Sequence, residues 1–102
     1  LDQLERVRAV ATGELRRAAS DLDSAAERME RFDSSLLAAA GRSSEAVEFA
    51  FRRGASSVLE VLDARRTLRA VRLEALAART DHAKAYAAWR AAQTTAEMLE
   101  TK

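Results

Sequence analysis

From Val61 onward the apolar positions keep a steady beat. Val61, Ala64, Leu68, Val71, Ala75, Ala78, His82, Ala85, Trp89, Ala92, Ala96 and Leu99 follow one another in alternating steps of three and four. Such steps draw one stripe along an α-helix and, sustained over several heptads, define a coiled-coil seam. A partial second stripe through Leu62, Leu73, Leu76, Ala83 and Ala87 makes the apolar face wider than a two-stranded seam requires. This helix is therefore expected to have neighbours on two sides. The first half carries a similar stripe: Leu4, Val7, Ala11, Leu15, Ala18, Leu22, Ala25, Met29, Phe32, Leu36, Ala39 and Ala46. Its consecutive four-residue steps at Val7, Ala11 and Leu15 act as a stutter, which locally relaxes left-handed supercoiling.

The two patterns meet at one strong break, Arg52 to Ser57. Arg52 and Arg53 set positive charge where a helix C-terminus leaves carbonyls unpaired, and Gly54 is suited to the left-handed conformation that closes such an end. Immediately afterwards Ser57-Val58-Leu59-Glu60 fits the capping box, in which serine and glutamate satisfy each other's amides at a helix start. The expected architecture is all-α, a long antiparallel two-helix coiled-coil hairpin. Helix one covers about 2–52, the tip turn about 53–56 and helix two about 57–101. Each helix would run roughly 70 Å at the usual rise per residue, giving a rod. Gly41-Arg42-Ser43-Ser44 is a candidate second break that would divide helix one and give three helices; against it, a single Gly costs only about 1 kcal/mol relative to Ala and the flanking residues are good helix formers.

Composition sharpens this reading. Among 102 residues there are 3 Gly, no Pro and no Cys, and the apolar content is carried largely by Ala. Ala buries little area but lets helices approach closely, so a large private core is not expected. With 17 basic and 16 acidic side chains interleaved, the net charge of +1 supplies no broad field to gather nucleic acid or an anionic membrane. The first residue is Leu1 rather than Met, and the chain reads as an excised or processed piece. No Ser-His-acid set, phosphate loop or metal cluster stands out, so neither an enzyme nor a cofactor is expected.

The stretch Phe49-Ala50-Phe51-Arg52-Arg53-Gly54-Ala55-Ser56-Ser57-Val58-Leu59-Glu60-Val61-Leu62-Asp63-Ala64-Arg65-Arg66-Thr67-Leu68 resembles the most recognisable segment of TolC-family outer-membrane efflux proteins. The run from Ala70 to Leu76, then Asp81-His82 and Ala85-Tyr86, is similar to the same family, so the resemblance covers about half the chain. It implies one periplasmic hairpin of a homotrimeric α-helical barrel, the outer-membrane factor of a tripartite efflux system in a Gram-negative bacterium. Such a hairpin tip meets a periplasmic membrane-fusion adaptor, which joins an inner-membrane pump. Carried over position by position, Arg53, Gly54, Ala55 and Ser56 form the adaptor-binding tip. Phe51 then matches the aromatic gating contact, and Glu60 and Asp63 match acidic positions at the closed entrance. The Ala-rich second helix is similar to members from heavy-metal cation systems; drug exporters share the family. Where many members have Pro after the paired leucines, this chain has Ala38 after Leu36-Leu37, so a kink common there is expected to be absent.

Each of these residues also has a plainer role. Glu60 serves the capping box, Asp63 suits the helix dipole or a solvated face, and Phe51 suits packing across the turn against Leu59. His82 on an Ala-lined seam suits packing better than metal binding, since no Cys or nearby carboxylate shares its helix face. Met29 and Met98 lie too far apart for a relay. The heptads alone equally fit an antiparallel coiled-coil interaction module unrelated to transport, and the wide apolar face leads to an expectation that the chain self-associates.

Overall fold

The computed structural model describes residues 2–100. Within them the chain is an all-α helical hairpin without strands: α1 (Gln3–Arg31), a π-helical turn (Phe32–Leu36), α2 (Leu37–Arg52) and α3 (Val58–Glu100). The bounds follow the sequence reading within a residue, except that Thr101 lies outside the described residues. Asp2 caps α1 by accepting the Glu5 amide at 2.7 Å. Helix α2 runs unbroken through Gly41 to Ser44, so the weak spot in the sequence interrupts nothing.

Helix one is interrupted elsewhere. In the π-helical turn the Leu37 amide donates to the Phe32 carbonyl five residues back, instead of four. The turn stands beside Leu36-Leu37-Ala38, so the backbone departs from regular α-helix there without a proline. Two polar side chains attend it: the Ser34 hydroxyl donates to the Glu30 carbonyl at 2.7 Å, and Asp33 pairs with Arg79 at 3.1 Å.

This extra residue corrects the sequence-derived seam. Up to Phe32 the stripe is right from Ala11 on, although Leu4 and Val7 are exposed. Beyond the turn, Leu36, Ala39 and Ala46 face outward, and Leu37, Ala40, Gly41, Ser44 and Val47 take the inner face, one residue later than expected. Because each residue turns an α-helix by about 100°, one inserted residue moves the whole downstream stripe to the next set of positions. In α3, by contrast, all twelve expected seam positions are buried or half-buried, and Gln93 is the one other α3 residue that is not exposed.

The chain packs as two units. In the first, Leu1–Glu27 with Thr80–Lys102, alanines bring the helices together antiparallel. Ala11 and Thr12 share a hollow with Ala96 and Leu99, and Ala18 shares another with Ala85 and Ala88. Half-buried His82 and Trp89 lie on the same stripe, and the Tyr86 and Trp89 rings stand 5.9 Å apart. In the second unit, Arg28–Arg79, the core is Phe32 against Ala75 and Ala78, with Met29 and Val71 packed around them. Ala78 is 1% exposed and Ala75 4%, so Phe32 sits over two nearly bare stretches of helix backbone and supplies most of the apolar area. Asp33–Arg79 and Glu48–Arg65, the latter at 2.7 Å, bridge the two arms of this unit. Such exposed pairs stabilise by only about 0.2–1 kcal/mol each, and their main effect is to fix register.

Candidate functional site

The turn between α2 and α3 is built entirely from local hydrogen bonds. Gly54 adopts a φ of 79°, the left-handed region open to glycine. Its amide donates to the Phe51 carbonyl at 3.0 Å, and the Ala55 amide reaches back to the Ala50 carbonyl at 2.8 Å. These two bonds make a Schellman close for α2. Two residues later the capping box forms as the sequence predicts. The Glu60 amide donates to the Ser57 hydroxyl oxygen at 3.2 Å, and the Ser57 amide donates to Glu60 Oε1 at 3.0 Å.

The Ser57 amide, then the Ser57 hydroxyl, hold the Glu60 carboxyl below the ordinary glutamate range, with a smaller pull from the Ser56 hydroxyl. Since the folded value lies below the unfolded one, the carboxylate's contribution is complete above the unfolded value. It is lost as pH falls through the folded value. Glu60→Gln keeps an acceptor but no charge. It should melt lower than the parent at neutral pH and converge with it in acid; thermal melts across that range that keep a constant gap would remove the charge from the cap.

Around this turn the sequence-predicted site residues come together. Arg53, Gly54 and Ala55 are exposed and Ser56 is half-buried. Phe51 is exposed, and Leu59 is 73% exposed, so burial across the turn is not what holds either side chain. Glu60 is engaged by the cap, and Asp63 has Arg66 at 3.8 Å one turn along. Sequence reading passed over Phe49 and Val58, both exposed beside the tip. The Arg53 guanidinium lies over the Phe49 ring, 4.5 Å from its centre. The four-residue spacing of Phe49 and Arg53 was the available signal, since such pairs face each other on a helix.

Above the tip, a groove of about 390 Å³ runs between α2 and α3, lined by Gly41, Ser44, Glu45, Glu48, Arg65, Leu68, Arg69 and Arg72. Among the described residues no group of His, Cys, Asp and Glu is arranged to hold a metal ion, and no helix is long and apolar enough to cross a membrane.

Taken together, the fold and the site define a helical hairpin whose solvent-facing tip is preformed, with basic and apolar side chains around one left-handed glycine. No protein-family model, curated protein or solved structure matches the chain.

Proposed function

We propose that this hairpin is a wall element and adaptor-docking tip of a TolC-like outer-membrane efflux channel, working in the periplasm with a membrane-fusion adaptor and, through it, an inner-membrane pump. One observation carries the reading. The segment that resembles the efflux family, Phe49 to Leu68, coincides with the turn and its two flanking caps, and its glycine is the residue with the left-handed backbone. A glycine there leaves backbone accessible for close docking by another helical tip. In a homotrimer Glu60 and Asp63 would each recur three times, and rings of carboxylates favour cations at an entrance. This accords with heavy-metal cations or drugs as cargo, which a duct passes without a binding site of its own.

The test is binding of the protein, and of Gly54→Asp, to the hairpin domain of a periplasmic adaptor. An added Cβ at Gly54 meets nothing within 4 Å, and a left-handed Asp costs about 1–2 kcal/mol, so helix content should survive. The parent is expected to bind and the variant to bind at least about tenfold more weakly. Equal binding by both, or by neither while both remain helical, overturns tip docking and leaves the antiparallel coiled-coil scaffold as the better account.

A further inference from the structure

Beyond the seam, each unit exposes a second heptad-spaced face, and the two faces differ in charge. On α3, Arg69, Leu73 and Leu76 succeed one another in steps of four and three, all exposed. On α1, Val7, Val10 and Glu14 follow in steps of three and four, also exposed. Laid antiparallel, the two series superimpose: Leu76 on Val7, Leu73 on Val10 and Arg69 on Glu14. The side chains of Arg69 and Glu14 have no ion-pair partner among the described residues.

The units as wholes show the same complementarity. Arg28–Arg79 carries ten arginines against seven carboxylates, whereas Leu1–Glu27 with Thr80–Lys102 carries seven bases against nine acids. A like-to-like antiparallel contact of α3 faces would set Leu73 on Leu76 but leave Arg69 opposite Thr80 and Arg65 opposite Lys84, with no carboxylate to meet either arginine. The α1 face instead offers two valines as apolar cover and a carboxylate at the matching position.

We propose that the chain self-associates through this unlike pair, the leucine and arginine face of α3 in one copy covering the valine and carboxylate face of α1 in a second copy, antiparallel. This rests on exposed residues and charge alone and is independent of any role in transport.

The chain has no cysteine, so single-cysteine variants report the pairing directly. Val10→Cys and Leu73→Cys are mixed, oxidised and separated, with sedimentation of the parent giving the association constant. The expected result is an associating parent and a mixed Val10–Leu73 disulfide in excess of either homodisulfide. Glu14→Arg should weaken association about tenfold, and Arg69→Glu in the same chain should restore it. A strictly monomeric, helical parent overturns the proposal. So does a predominance of the Leu73 homodisulfide, or a Glu14→Arg variant that associates like the parent.

Discussion

Deleting Ser35 should leave the melting temperature within about 3 °C of the parent, while deleting Ser24 should lower it by more than about 10 °C. Both are exposed serines in helix one, and composition gives no reason for them to differ. Ser24 lies in regular α-helix between Leu22 and Ala25 on the seam. Its removal turns everything on one side by about 100° against the other, so the stripe facing helix two is no longer continuous. Ser35 lies in the π-helical turn, where the Leu37 amide already reaches one carbonyl too far. Its removal brings that amide four residues from the Phe32 carbonyl, restores an α-helical bond and keeps both Phe32 and Leu37 on the inner face. Thermal melts followed by far-ultraviolet circular dichroism decide the matter, and equal losses from the two deletions would mean that the turn holds no extra residue.

Phe32→Ala should cost about 2–4 kcal/mol in urea unfolding, near the lower part of the range for buried phenylalanines because the core around it is small and half of it is alanine. The ring is the large side chain of a core otherwise made from Ala75 and Ala78. Neither alanine can extend into the space it leaves. Phe32→Leu should recover most of the loss, since an aliphatic side chain still covers the two alanines. The half-buried Arg28 guanidinium, 5.6 Å from the ring centre, adds about 1 kcal/mol. Arg28→Ala should accordingly be much milder than Phe32→Ala. A loss below about 1 kcal/mol for Phe32→Ala would show that the second unit is held by its ion pairs and turn instead of this ring.

Helix α3 was readable throughout because its stripe obeys one rule from Val61 to Leu99 and nothing in its backbone breaks the rule. Helix one obeys the rule only as far as Phe32. The sequence offers Leu36 and Leu37 side by side, four and five residues after Phe32. Periodicity chooses the four-residue step, and the structure takes five. The energetic difference between an α turn and one π turn is small enough to be decided by contacts far away in sequence, such as Asp33 with Arg79. No local signal carries that information. At the tip the situation is reversed: Gly54, Ser57 and Glu60 act on their own neighbours, so both the turn and the cap could be derived from residue types in order. What remained hidden there was side-chain placement, namely the Arg53–Phe49 stack and the exposure of Leu59.

The tip's self-sufficiency also bears on the order in which the chain finds its structure. Every hydrogen bond of the Gly54 turn and the Ser57 cap joins residues at most five apart, where the entropy of loop closure is smallest. Glu48 meets Arg65 across a separation of 17 and Asp33 meets Arg79 across 46, each closure being shortened by the one before it. The chain is thus arranged to zip from its middle outward, and a lesion at the turn would delay every later contact in the second unit.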